Sequence, residues 1–199
     1  MTNRISTLFT LFSVLLFSAA FLTSCGDDKK KNDESSKTKT VWSEDLMKEC
    51  IAFNIKQGQE SDFVQEIFSR SKNASKEDIA RCNCEIAEEL YPSAQSIEVL
   101  DSLMQGKFLE DPKLVVRTLE CGGEEMVRAA LEIMRSQVFE MVQQGCNYKH
   151  NDPDACQCVL DYVESVLPSN LIDLIVLTNK ENELVSIIQE SEDHCELLK

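Results

Sequence analysis

Cys82-Asn83-Cys84 decides the fold, because the same spacing returns later in the chain as Cys156-Gln157-Cys158. Each pair has one cysteine upstream and one downstream. The first cysteine of each pair lies 39 positions before its downstream neighbour. Recurrence of one pattern in one order is typical of an internal repeat. The flanking cysteines are Cys50 and Cys121 around the first pair, and Cys146 and Cys195 around the second.

The cysteines within a pair cannot bond each other if the pair lies on a helix. Residues two apart on a helix are rotated by about 200°, so Cys82 and Cys84 point to opposite sides, whereas a disulfide needs converging side chains. Each therefore bonds one flanking cysteine, and two connectivities stay open in each half. Both sides of the first helix are apolar: one carries Ile79, Cys82, Ile86 and Leu90, and the other carries Ala80, Cys84, Ala87 and Tyr91.

Helical start and stop signals fill the rest of the chain after residue 41. Serines precede acidic residues at three predicted helix starts, and Asp-Pro begins two more helices. The longest helix is predicted from Glu124 to Gln144, ended by Gly145, with an apolar stripe at spacings of three and four. The starts are Ser43, Ser61, Ser75, Asp111 and Asp152, and the stripe is Val127, Leu131, Met134, Val138 and Met141. No strand pattern competes, so the expected fold is all-α.

The N-terminus resembles a bacterial lipoprotein signal. Arg4 precedes an apolar stretch over residues 8–22, which leads into Leu22-Thr23-Ser24-Cys25. This tetrapeptide is similar to a lipobox, whose cysteine is lipidated before cleavage on its N-terminal side. The resemblance implies that residues 1–24 are a signal peptide and that palmitate-type acyl chains on Cys25 anchor the mature protein. No family is recognised for the remainder of the chain.

Residues 25–41 are expected to form the anchor and a flexible tether, because Gly26 to Thr40 contains no large apolar residue. The arrangement resembles Gram-negative outer-membrane lipoproteins, since Gly26 stands where an aspartate would retain the protein in the inner membrane. Asp27 and Asp28 are similar to signals that send some lipoproteins to the cell surface. We therefore expect an outer-membrane lipoprotein, with its periplasmic or surface orientation open.

Charge and cysteine number narrow the functional classes. The chain after Cys25 holds all 35 acidic residues and 19 of the 20 basic ones, so its net charge is near −16. Such a charge disfavours nucleic acid and anionic lipid headgroups, so membrane attachment is expected from the acyl chains. Eight cysteines remain besides Cys25, an even number that favours four disulfides in an exported protein.

Two chemical roles for the cysteines compete with disulfide stapling. Four cysteines per half could hold zinc or an iron-sulfur cluster, but structural zinc sites favour pairs separated by two to four residues. Thiol exchange needs an exposed, low-pKa thiolate, and Cys156 does fall in the first turn of a predicted helix. The redox spacing has two intervening residues rather than one. We expect neither a metal nor a cofactor.

No catalytic constellation is recognised. His150 is expected in a solvated turn between Asn147 and Asp152, and His194 adjoins Cys195, whose side chain a helical neighbour does not face. Trp42, the sole tryptophan, is expected to pack on the first helix. The chain contains no His-Glu-x-x-His, Gly-rich phosphate loop or Gly-x-Ser-x-Gly motif.

The sequence thus predicts a disulfide-linked helix bundle made of two diverged repeats, residues 42–122 and 123–199, after the signal peptide and tether. The predicted function is a non-enzymatic binding or structural module of the cell envelope. Its expected partners are the membrane, through the lipid anchor, and an envelope or extracellular protein. The alternative is a thiol-redox or metal-handling lipoprotein that uses Cys82/Cys84 and Cys156/Cys158.

Overall fold

The computed structural model describes residues 42–71, 75–107 and 111–197. Within these ranges every regular element is an α-helix, which confirms the all-α fold. The helices are α1 (Glu44–Glu60), α2 (Asp62–Arg70), α3 (Lys76–Leu90), α4 (Ile97–Lys107), α5 (Pro112–Glu120), α6 (Glu124–His150), α7 (Pro153–Val166), α8 (Leu171–Asn179) and α9 (Glu181–His194). The predicted signal peptide, Cys25 and the tether lie outside the described residues.

Local capping chemistry starts the helices where the sequence predicts. The hydroxyl oxygens of Ser43, Ser61 and Ser75 each accept a hydrogen bond from a backbone N–H three residues later. Asp111 and Asp152 each accept two such bonds ahead of a proline in the first turn. These oxygens satisfy N–H groups that have no partner within the helix. Helix α4 also has a serine before it, because Ser96 Oγ accepts a hydrogen bond from the Val99 backbone N–H.

Helix α6 is longer than predicted, because Gly145 does not end it. The helix continues to His150 and stops at Asn151, whose φ of 51° lies in the left-handed region. Glycine costs only about 1 kcal/mol in a helix interior, and packing of the flanking Val142 and Cys146 in the core outweighs that cost. The prediction that His150 lies in a solvated turn was therefore wrong.

The stripe predicted on α6 is rotated by about one residue from the buried one. Val138 and Met134 are buried as expected, but Val127, Leu131 and Met141 are only partly buried. The buried side chains of α6 are Met126, Ala129, Ala130, Ile133, Met134, Val138, Val142 and Cys146. Two small alanines in this stripe allow close approach, which a prediction weighted towards large apolar residues misses.

Helix α6 is the centre of the molecule. It packs against α2, α5, α7 and α8, and α9 packs on α7 and α8. The larger hydrophobic cluster runs through these helices and α3, so it joins Ile67 and Ile79 to Val163 and Leu174. None of the helices in the described ranges is both long and apolar enough to cross a bilayer.

A smaller cluster joins α1, α3 and α4 around Trp42. The indole is buried, as expected for packing on the first helix, and its Nε1–H donates to the carbonyl oxygen of Tyr91 at 3.0 Å. The Trp42 backbone N–H donates to Glu88 Oε1 at 2.8 Å. Trp42 therefore fastens the start of the described chain to the C-terminal end of α3.

Candidate functional site

Four disulfides join the eight cysteines predicted to be structural. They are Cys50–Cys84, Cys82–Cys121, Cys146–Cys156 and Cys158–Cys195, with Cα–Cα distances between 5.6 and 6.0 Å. Each Cys-x-Cys helix is bonded on one side to an earlier helix and on the other to the end of a later one, as predicted. The disulfides indicate an oxidising, extracytoplasmic location.

The two halves use different connectivities. The upstream cysteine bonds the second member of the pair in the first half, Cys84, but the first member in the second half, Cys156. Burial explains the choice: Cys84 and Cys156 are the buried members of their pairs, with 0% and 2% of their surface exposed. In both halves the buried cysteine bonds upstream and the partly exposed one bonds downstream.

The disulfides on α3 fix the rotation of that helix about its axis. Successive residues are rotated by about 100°, so the side chain of Asn83 lies midway between those of Cys82 and Cys84. Cys84 is held to Cys50 of α1, and Cys82 is held to Cys121 at the end of α5. The face between the two bonds is thereby held in one orientation. It comprises Lys76, Ile79, Ala80, Asn83, Ile86, Ala87 and Leu90.

All seven residues of this α3 face line a cavity of about 160 Å³. The opposite walls come from α1, α2, α4, α5 and α6, and from Ile175 of α8. Their apolar lining residues include Phe53, Phe63, Ile67, Phe68, Leu100, Met104, Leu114, Val115, Met126 and Met134. An engineered cavity of about 150 Å³ with comparable walls takes up benzene, so this space suits a compact apolar molecule.

Few polar groups line the cavity, and two of them are occupied by neighbouring groups. Asn54 Nδ2 donates to the Cys50 carbonyl oxygen at 3.2 Å and lies 3.5 Å from Cys84 Sγ. Thr118 Oγ1 donates to the Val115 carbonyl oxygen at 2.8 Å. Asn83 is different, because its Oδ1 is shielded from solvent and accepts no hydrogen bond from the residues that the structure describes.

Charge around the cavity is sparse. Lys76 is the basic residue of the described lining and Asp101 the acidic one. The Lys76 side chain is exposed, with Nζ 5.4 Å from the centre of the Phe68 ring. The described lining is therefore mainly apolar, and side-chain oxygens of Asn83 and Asp101 are buried acceptors among its residues. Sequence reasoning missed the cavity and Asn83, although the equal spacing of Asn83 from both cysteines was visible.

The helix that carries the second Cys-x-Cys pair does not line this cavity. Gln157, which occupies the position of Asn83, is exposed and donates to Asp161 Oδ1 at 2.8 Å. Val159 and Val163 of α7 instead lie in the closed core against α6. The two predicted repeats thus differ in the face that lies between their cysteines.

A buried carboxylate lies at the other end of the molecule. Glu192 of α9, with its side chain 7% exposed, accepts hydrogen bonds from Lys149 Nζ at 2.6 Å and His150 Nε2 at 3.1 Å. Burial raises the pKa of Glu192, but hydrogen bonds and charge attraction from Lys149 and His150 outweigh burial and lower it below 4.5. This cluster connects the end of α6 to α9. None of its three residues lines the cavity beside α3, so we regard the cluster as structural.

The described region contains neither a free thiol, which thiol exchange needs, nor a group of three metal ligands. The eight cysteines of the described region are held in disulfides, two of which are deeply buried, so none offers an attacking thiolate. Across the described ranges, no three histidine, cysteine or acidic side chains converge as metal ligands. His194 packs against the Tyr162 ring at 5.0 Å between ring centres.

Comparison of the chain with protein-family models, with curated proteins and with solved structures finds no match.

Proposed function

We propose that the protein is a lipid-anchored envelope module that binds a compact apolar molecule in the cavity beside α3. The observation that supports this proposal is the cavity itself, which is about 160 Å³ in volume and lined mainly by apolar side chains of six helices. Binding sites for small molecules are typically concave, apolar and furnished with few polar groups. No catalytic chemistry is required of such a site.

The two disulfides of α3 support this function through rigidity. A tightly packed core leaves few voids larger than a water molecule. Apolar side chains that line a void lose van der Waals contacts, so the surrounding helices tend to close it. Two covalent bonds on opposite sides of α3 oppose rotation or collapse of that helix into the space. A cavity held open in this way is pre-organised, which lowers the conformational cost of binding.

The envelope location is the second part of the proposal. The disulfides support an exported protein, and the lipobox-like Leu22-Thr23-Ser24-Cys25 supports a lipid anchor. Gly26, in the position after the lipidated cysteine, supports the outer membrane as the destination. Replacing Cys25 with serine in the full chain is expected to abolish acyl labelling of the protein. It is also expected to prevent cleavage of the signal peptide before residue 25. A Cys25→Ser protein that is still acylated and sorted to the outer membrane would contradict the anchor.

Methionine methyl groups offer a direct test of the cavity. A chain that begins at Gly26 keeps every described residue and all four disulfides, so it is the lipid-free form to test. Three cavity methionines, Met104, Met126 and Met134, carry methyl groups that an aromatic guest would shift in an NMR spectrum. Toluene is expected to shift these three resonances saturably.

Met141 provides the internal control, because it lies on α6 outside the cavity lining. Ala80→Leu places a bulky side chain in the wall and is expected to weaken toluene binding, whereas Val163→Ala in the closed core lowers stability without changing the affinity. Absence of saturable shifts in the native chain, or equal shifts at Met141, would exclude the cavity as a binding site.

A further inference from the structure

We infer that the ligand of this cavity is a neutral apolar molecule bearing one O–H or N–H donor, and that Asn83 Oδ1 accepts its hydrogen bond. The inference rests on the proposed binding function and adds the chemical class of the ligand. Asn83 lies between two disulfide-bonded cysteines, which fixes the direction of its side chain from α3.

The first support is the state of the Asn83 oxygen. Oδ1 is shielded from solvent yet accepts no hydrogen bond from the described residues. A buried acceptor without a donor destabilises a protein, so such groups are rare in native structures. Asn54, the other asparagine of the lining, differs because its amide donates to the Cys50 carbonyl oxygen. Asn83 lines the cavity, so rotation of its side-chain amide towards that space would bring Oδ1 within reach of a ligand donor and satisfy this acceptor.

The second support is the surroundings of Asn83. Along the α3 face it is flanked by Ile79, Ala80, Ile86 and Ala87, all of them buried. A donor that reaches Oδ1 must therefore belong to a molecule whose remaining surface is apolar. The cavity volume of about 160 Å³ limits that molecule to roughly the size of a substituted benzene ring.

The third support is electrostatic. The chain carries a formal net charge of −15, which disfavours anions. Lys76, the basic residue of the described lining, is exposed rather than buried beside Asn83. Asp101, the acidic residue of the described lining, already interacts with another group of the protein. A charged ligand group would therefore lose its hydration among the apolar walls without a free partner of opposite charge, so a neutral donor is favoured.

Toluene and p-cresol test this inference, because they differ only by a hydroxyl group. Their affinities are measured for the 26–199 chain and for Asn83→Leu, which keeps the size of the side chain and removes the acceptor. We expect Asn83→Leu to weaken p-cresol roughly threefold to tenfold relative to toluene. Equal changes for both molecules would overturn the assignment of Asn83.

Two further measurements keep the test decisive. Gln157→Leu changes the exposed counterpart of Asn83 and is expected to leave both affinities unaltered. If Asn83→Leu does not fold, the native chain still tests the contact through the NMR resonances of the Asn83 side-chain amide. We expect p-cresol to shift these resonances and toluene to leave them unchanged. Identical shifts with both molecules would refute the contact. Failure of both molecules to bind the native chain would instead overturn the proposed function.

Discussion

Cys146 and Cys156 are bonded to each other across the turn between α6 and α7, only 10 residues apart in sequence. Cys146 lies in the last turns of α6 because that helix continues beyond Gly145. Cys156 lies in the first turn of α7, after the Asp152 cap. The two helices pack against each other and are joined by only two residues, Asn151 and Asp152, so these buried side chains meet. The first half has no such hairpin, and there the second cysteine of the pair meets the upstream one.

The unequal connectivity can be tested by releasing one thiol at a time. Cys84→Ser is expected to free Cys50, and Cys156→Ser is expected to free Cys146, because these are their bonded partners. Alkylation before lysis limits thiol exchange, and mass analysis of tryptic peptides then locates the label. Label on Cys121 or Cys195 would mean that the connectivity is the reverse of the one described here.

The disulfide between Cys82 and Cys121 is expected to orient Asn83 as well as to stabilise the fold. Replacing both cysteines with alanine should cost about 3–4 kcal/mol in the free energy of unfolding, since the bond closes a loop of 39 residues. Freed rotation of α3 should also reduce the preference for p-cresol that Asn83 provides. Calorimetric titration with toluene and p-cresol measures this preference.

The matched control is the pair Cys158 and Cys195, which closes a loop of 37 residues in the other half. Its removal should cost a similar unfolding free energy but leave the discrimination between the two molecules intact. Loss of discrimination in both double variants would attribute the effect to general destabilisation rather than to the orientation of α3.

Replacing either of two glycines with alanine is expected to change the free energy of unfolding, in opposite directions for the two positions. Gly145→Ala should raise the free energy of unfolding by about 0.5–1 kcal/mol, because Gly145 is an exposed helix-interior residue with nothing within 4 Å of an added Cβ. Gly123→Ala should lower it by about 1–3 kcal/mol, because φ is 82° and ψ is 178°, a region reserved for glycine. Urea unfolding with an unchanged slope measures both effects. Stabilisation by Gly123→Ala would contradict its backbone geometry.

Glu192 is expected to make stability depend on pH in the acidic range. Its pKa is lowered in the folded state, so the unfolded chain binds more protons between the folded pKa and 4.5. The stability that the Glu192 carboxylate contributes is thus fully present above the unfolded pKa and is lost as the pH falls through the folded pKa. Glu192→Gln should cost about 1–3 kcal/mol at neutral pH, through weaker bonds to Lys149 and His150.

Chemical denaturation of both proteins across pH 3–7 checks this. The difference in unfolding free energy between the native protein and Glu192→Gln is expected to shrink as the pH drops below 4.5. Glu140→Gln, which alters an exposed carboxyl on α6, serves as the control and should change stability little. A difference that stays constant or grows at low pH would show that the Glu192 charge does not stabilise the fold.

Local chemistry explains why so much of the secondary structure could be predicted. Capping serines, Asp-Pro starts and apolar spacing depend on residues within a turn or two of each other, so Ser43, Ser75, Asp111 and Asp152 mark helix starts correctly. The divergence of Cys82 and Cys84 is also local, because it follows from helix geometry alone. The all-α class and the exclusion of an internal disulfide were therefore available from the sequence.

Tertiary packing decided what local rules left open. Gly145 stays helical because its neighbours pack in the core, and the partner of each paired cysteine depends on which side of its helix becomes buried. The cavity could not be predicted, since it is the space left where six helices meet and no single segment encodes its volume. By itself the sequence determined helices, caps and four disulfides, because these follow from contacts along one helix and cysteine number. Only the packing between helices decided which cysteines bond and that Asn83 faces a cavity, because both depend on residues distant in the chain.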